Sequence, residues 1–285
     1  MIIKDAATIV LLRDGANGLE VFVVERHAKS GFMGGAIVFP GGKVDESDGS
    51  EAWEPLVTHP RDPAASRTHA ETSFARDAIH ARALAIAAAR ETLEEAAILI
   101  TDSASLSDDE LLGLRTKAQT DPNAVRAFLQ ARSVRLDLAS LHPFARWITP
   151  EAESRRFDAR FFFALAPKGQ SGAHDAHETV SSFWATPSEV LRRFDAGEVR
   201  LMPPTHRTLA LLEACADTAS ALAFAATTSL DPICPKLAPH VDAKGETVAL
   251  TLPGDPAHDV REVRVPGPSR YVLRQDRWLP EDAPR

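Results

Sequence analysis

Three carboxylates, Glu91, Glu94 and Glu95, stand close enough in sequence to share one task. They follow an alanine-rich run from Ala81 to Ala89 that contains no Gly or Pro. Ala, Leu, Arg and Glu all favour helix, so the composition predicts one helix over 82–97. On it Glu91 faces Glu94 at i,i+3 and Glu95 at i,i+4. Like charges repel at these spacings, and the C-terminal end of a helix is the wrong place for anions. A hard divalent cation prefers carboxylate oxygens and would offset that cost. Arg90 adjoins the cluster and can hold a glutamate in place. The plain alternative is an acidic helix face turned to solvent.

Elements before this helix must bring a partner surface to it. Ala6–Leu12 and Leu19–Arg26 are apolar and β-rich around an Asp14-Gly15-Ala16-Asn17-Gly18 turn cluster, which predicts a hairpin. After Gly31, Gly34 and Gly35, Ala36–Phe39 is a short strand that runs into Pro40-Gly41-Gly42. Two glycines there predict a tight turn and close approach of backbone to a ligand. Residues 46–80 are polar, proline-bearing and weakly periodic, and are read as an insertion. Its histidines, His59 and His69, and His80 at its junction with the helix lack compact zinc-site spacing.

Beyond the acidic turn, helices are predicted near 107–118 and 122–132. Strands are predicted at Phe144–Thr149, Arg156–Leu165 and Glu178–Ala185. Thr186-Pro187-Ser188-Glu189 is a capping box that opens a helix. Another helix is expected over Thr205–Ala216, with an added turn or two at 218–227. From Asp231 the composition changes, with prolines between short strands at Thr247–Leu252, Val260–Val265 and Arg270–Arg274. The organisation expected is a main α/β domain over 1–230 and a β-rich extension over 231–285 packed on it.

The chain has 285 residues, 44% hydrophobic and 25% charged, within the range of a globular protein. A net charge of −8 argues against nucleic acid or an anionic membrane surface as a partner. Two cysteines, Cys215 and Cys234, make no disulfide framework. With no signal-peptide pattern and no long apolar run, a cytoplasmic protein is the expectation, and a homodimer is compatible with it.

Gly42, the helix and Arg90-Glu91-Thr92-Leu93-Glu94-Glu95-Ala96-Ala97-Ile98 together resemble the Nudix box, G-x5-E-x7-R-E-U-x-E-E-x-G-U, where U is bulky and aliphatic. The resemblance covers roughly residues 5–215 and departs from the pattern in four places. Residues 46–80 interrupt the box, Arg82 stands eight before Arg90 where a glutamate is expected, Thr92 replaces an aliphatic residue, and Ala97 replaces a glycine. Asp45 or an acid of the insertion is the expected substitute for that glutamate. The resemblance implies an α/β/α sandwich with a mixed central sheet, extra helices and a short C-terminal β segment. The insertion, Gly31–Ala36, Arg156–Phe162 and Leu201–Thr205 resemble the animal Nudix hydrolases of coenzyme A and acyl-coenzyme A.

That resemblance implies hydrolysis of a diphosphate linkage in a small molecule, with Mg²⁺ or Mn²⁺ held by Glu91, Glu94 and Glu95. Glu91, Glu95 and Glu178 are the candidate catalytic acids. Arg90, Gly41 and Gly42 are expected to support the site. Arg26, Arg156, Arg160 and Phe32 are the candidate substrate contacts, with arginine suited to phosphate. ADP-ribose and NADH are competing substrates, and a Nudix-fold ligand-binding regulator without catalysis is the reading from another class.

Overall fold

The computed structural model describes residues 2–27, 35–59, 73–102, 106–174 and 179–283. Strands β1 (Lys4–Gly15) and β2 (Gly18–Arg26) form the expected hairpin, closed by the pair Gly15 and Gly18. Strand β3 (Ile37–Val38) pairs with β2, and β4 (Gly41–Lys43) pairs with β1. Two short 3-10 turns, Glu46–Gly49 and Glu51–Leu56, lead out of β4. Helix α1 (Ala78–Ala96) carries the acidic cluster at its end. It begins four residues earlier than expected because Asp77 caps it, accepting from the His80 amide at 2.7 Å.

Helices α2 (Asp108–Ala118) and α3 (Ala124–Arg132) follow. Then come β5 (His142–Ile148), β6 (Phe157–Leu165) and β7 (Thr179–Ala185). Helices α4 (Pro187–Asp195), α5 (Pro203–Leu212) and α6 (Thr218–Ala225) precede β8 (Pro232–Ile233). The principal path of the sheet runs β3-β2-β1-β6-β5-β8, with β7 also on β2 and β4 also on β1. Strands β1 and β6 are parallel from Lys4 opposite Phe157 to Leu12 opposite Leu165, whereas β1 and β2 are antiparallel. The sheet is therefore mixed, and helices cover both faces. Among the described residues no helix is long and apolar enough to cross a membrane.

Alternation along the strands sends side chains to two cores. Ile9, Leu11, Phe22 and Phe162 pack with Leu84, Ala85, Ala87 and Ala88 of α1. Val10, Leu12, Val21 and Phe163 pack on the other face with α4, α5 and α6. A third cluster lies behind α1, where Ile86, Ala89 and Leu93 meet Trp53, Leu111 and Leu129. Helix α1 is thus buried on nearly every side, which explains its alanine content: small side chains let sheet and turns approach closely.

After residue 235 the chain adds a four-stranded antiparallel sheet: β9 (Lys236–Asp242), β10 (Gly245–Thr251), β11 (Arg270–Arg274) and β12 (Arg277–Glu281). Its Leu250, Leu252 and Tyr271 join the core beneath α5. Residues 260–265, expected as a strand, are not one. Strands β9 and β12 were not expected; each holds a proline, Pro239 and Pro280. Both are edge strands, where a missing amide costs no ladder bond.

Where α1 begins, a buried ion network ties it to the sheet. Arg160 of β6 is 1% exposed. It donates to Phe74 O at 2.9 Å, Asp5 Oδ1 at 2.7 Å and Asp158 O at 2.7 Å. Asp5 also meets Arg76 at 2.9 Å and His80 Nε2 at 3.2 Å. Burial works against the Asp5 carboxylate, but the bonds from His80 and Arg76 and the charge of Arg160 outweigh it and hold the group well below the usual carboxylate range. Arg160→Leu removes the cation at the centre of this network and is expected to cost about 3–5 kcal/mol of stability. Chemical denaturation would check it, and an unchanged midpoint with weakened substrate binding would reverse the assignment.

Candidate active site

Gly41 and Gly42 do not make the tight turn expected of them. Both lie in β4, opposite Thr8 and Ala7 of β1, and neither has positive φ. What requires glycine is space. A Cβ on Gly42 would stand 2.4–2.6 Å from the Glu91 carboxylate, and one on Gly41 would meet Ala7 O at 2.5 Å. Strand β4 therefore lies flush against the last turns of α1. The Gly41 amide donates to Glu95 Oε2 at 3.0 Å, so that N–H is committed to the helix.

Arg90 stands at the centre of the cluster. Its Nη1 donates to Glu91 Oε1 at 2.9 Å and to Glu94 Oε1 at 3.1 Å. Nη2 donates to Lys43 O at 2.9 Å and lies 3.4 Å from Asp45. Nε and Nη2 each reach Asp48 at 3.2 Å, a forked contact that suits a planar guanidinium. Sequence reasoning expected Arg90 to orient one glutamate; it orients two and also binds the strand and the turn after it.

Asp48 is a member of this cluster that sequence reasoning did not name, although an acid of the insertion was foreseen. It is 0% exposed and accepts from the Asp45 amide at 2.8 Å. The signal was spacing: Asp48 is the sixth residue after Gly42, where the box pattern places its first glutamate. Counting back from Arg90 misses it because the interruption lies between the two. Arg82, which that count selects, donates instead to Glu54 and to Gly49 O and ties both 3-10 turns to the helix. Ala97, in place of the pattern's glycine, sits at φ 51° in the left-handed region and ends α1, its amide bonded to Leu93 O at 2.9 Å. The strain of a Cβ there is offset by burial of its methyl behind the helix.

The electrostatics follow from packing four acids around one guanidinium. Burial pushes the Glu91 carboxyl up to about 7, with Arg90 pulling it down and Glu94 pushing it further up. Burial also works against the Arg90 cation, but Asp48 and the charges of Glu91 and Glu94 outweigh it and hold Arg90 above its usual value. The cluster remains short of positive charge. Glu94 is 36% exposed at its side chain against 15% for Glu91, so the cluster opens outward from Glu94. This oxygen-only donor set fits a hard divalent cation, with Glu91, Glu94 and Glu95 as the residues that would hold it.

Of the other candidates, Arg26 is brought to the site, its Nη1 3.7 Å from Glu95 Oε1. Arg160 is spent in the buried network above and offers no face to a phosphate. Arg156 donates to Thr149 O at 3.0 Å, beside Lys4 at the outer end of β1. Phe32 and Glu178 lie outside the described residues. Elsewhere, on the C-terminal sheet, His240, Asp242 and Glu281 bring three ligand atoms within 4.8 Å of one another. Arg274 donates to both of those carboxylates, so that group is an ion network closed on its own cation.

Two outcomes follow. Gly42→Ala is expected to displace the Glu91 carboxylate and weaken divalent-metal binding by about tenfold or more, with an unchanged circular dichroism spectrum. Metal titration calorimetry reads it. In metal-free protein the raised Glu91 pKa favours the folded state fully below 4.5, and that contribution is lost as pH rises through about 7. A cation must displace the same proton, so its affinity is expected to climb with pH and level off above about 7, and Glu91→Gln is expected to flatten the profile.

The family model described as the NUDT19 Nudix domain matches residues 3–212. An acyl-coenzyme A diphosphatase NUDT19 of Xenopus laevis is 26% identical over 275 residues, covering 85% of this chain and 72% of its own length. The protein of the same name from Gallus gallus is 28% identical, over 70% of this chain and 65% of its own. A crystal structure of a Nudix hydrolase from Alicyclobacillus acidocaldarius superposes with a TM-score of 0.65 at 30% identity, covering 81% of this chain and 99% of that one. The glycine strand against the acidic helix, the Arg90 clamp and these matches have one meaning: the chain is a Nudix hydrolase and belongs to the NUDT19 Nudix domain family.

Proposed function

We propose that this Nudix hydrolase cleaves the diphosphate linkage of coenzyme A or an acyl-coenzyme A, with Mg²⁺ or Mn²⁺ as its cation. The observation that carries the reading is the pair Glu91 and Glu94 clamped by Arg90, with Glu95 fixed by the Gly41 amide, against a glycine strand where a Cβ on Gly42 would meet the Glu91 carboxylate. The choice of substrate rests on the acyl-coenzyme A diphosphatases that the chain resembles.

In this reading water attacks one phosphorus, and the bond from that phosphorus to the bridging oxygen breaks. Two phosphomonoesters leave, one carrying the adenosine 3′-phosphate and the other the pantetheine. A bound divalent cation supplies charge neutralisation at the diphosphate and a lowered pKa for the attacking water. Arg90 keeps Glu91 and Glu94 side by side, and the Gly41 amide fixes Glu95. Arg26, beside Glu95, presents positive charge to a phosphate oxygen. Glu91 and Glu178 are the carboxylates proposed to take the proton from water. Glu91 titrates near neutral pH, which suits a general base. For Glu178, the support is that the next residue, Thr179, pairs with Arg26 across β2 and β7.

The test is turnover of coenzyme A, an acyl-coenzyme A, ADP-ribose, NADH and a dinucleoside polyphosphate with Mg²⁺ or Mn²⁺, with products identified by mass. The expected result is highest kcat/KM on coenzyme A or its acyl ester. Faster turnover of ADP-ribose or NADH would move the substrate assignment, and tight binding without turnover on every compound would make the protein a binder. Glu95→Gln is expected to lower kcat by roughly a hundredfold or more while the fold persists; wild-type turnover would remove Glu95 from the machinery.

A further inference from the structure

The acidic helix lies on one face of the main sheet, and on the opposite face the structure holds a cavity of about 430 Å³. Strand β5, helices α5 and α6, and residues 263–266 of the C-terminal extension line it, and it is open to solvent on one side. Phe144, Trp147, Leu211, Phe224, Ile233 and Val265 make its walls apolar and aromatic. The volume lies within the range of roughly 300–1,000 Å³ typical of small-molecule sites.

Polar groups on the wall are few, and most are committed. The hydroxyls of Thr208, Thr227 and Thr228 donate to Pro204 O, Phe224 O and Phe144 O at 2.8, 2.9 and 2.8 Å. Ser229 donates to Asp231 at 3.0 Å. Arg207 is 2% exposed and spends its donors on Tyr271 Oη at 3.2 Å, on Pro266 O and on Pro268 O at 2.6 Å. Arg264 differs. It lines the cavity, and the hydrogen bond it makes there is from Nη1 to Pro232 O at 2.6 Å. Neither arginine pairs with a carboxylate among the described residues. Arg264 is therefore a cation on an apolar wall without a counter-ion among the described residues, and an anion bound in the cavity would supply one.

We propose that this cavity binds an amphiphilic monocarboxylate of the medium-chain fatty-acid class. The tail lies against Phe144, Trp147 and Phe224, and the carboxylate pairs with Arg264. A phosphate dianion would need a second uncommitted cation and further donors, and the wall offers neither. The site is separated from the diphosphate centre by the thickness of the sheet, so the proposal stands independently of the substrate reading above.

Calorimetric titration of the full chain with decanoate, and separately with decanol, tests it. Decanoate is expected to bind saturably at one site per chain, and Arg264→Gln is expected to weaken it about tenfold or more while leaving decanol unchanged. Leu211→Trp, which fills the cavity from α5, is expected to abolish both. No saturable decanoate binding in the folded protein would overturn the proposal. So would equal loss of both probes in Arg264→Gln, or displacement of decanoate by coenzyme A with Mg²⁺, which would place it in the diphosphate site.

Discussion

One guanidinium holds this site together. Arg90 has acids on several sides, Asp48 buried beneath it and Glu91 and Glu94 beside it, and it also binds the carbonyl of Lys43. Without a cation at that point the carboxylates would repel, and Glu91, already pushed up by burial, would stay protonated at higher pH still. With it, a helix end that is electrostatically wrong for anions becomes a stable anionic surface. Because the same guanidinium grips helix, strand β4 and the turn after β4, losing it would loosen all three elements together.

The rest of the fold keeps the two sides of that clamp in contact. The alanines of α1 let the sheet come close, and the glycines of β4 let it come closer than any other residue would. Helix α1 is fixed at both ends by arginine: Arg90 at its last turns, and Arg160 with Asp5 and His80 at its start. The two anchors use the same chemistry for different ends. Arg160 is buried and spends its Nε and Nη1 inside the protein, while the Arg90 cluster opens to solvent on the Glu94 side, where the proposed diphosphate and its cation would enter.

The two faces of the sheet are unlike. The α1 face carries charge and the proposed chemistry, and the other carries a large apolar core extended by the C-terminal strands. That extension is bound to the main sheet, since β8 pairs with β5 and Tyr271 lies in the shared core. Between it and β5, α5 and α6 the cavity opens beside Arg264.

By itself the sequence determined what depends on short spacing. The α1 helix, the Arg90 contact with a neighbouring glutamate, the β1–β2 hairpin and the capped α4 were all legible, because propensity, capping and i,i+4 geometry act within a few residues. The core of the Nudix box was legible for the same reason. Tertiary structure decided the partners. Asp48 lies 42 positions from Arg90 and Gly41 lies 54 from Glu95, and no local rule crosses an insertion of that length. It also separated arginines that look alike in sequence: Arg26 reaches the site and Arg160 is locked in the interior. Which arginine stands beside the acidic helix depends on the side of the sheet, the layer above it and the carboxylates within reach, and those exist only once the strands have paired.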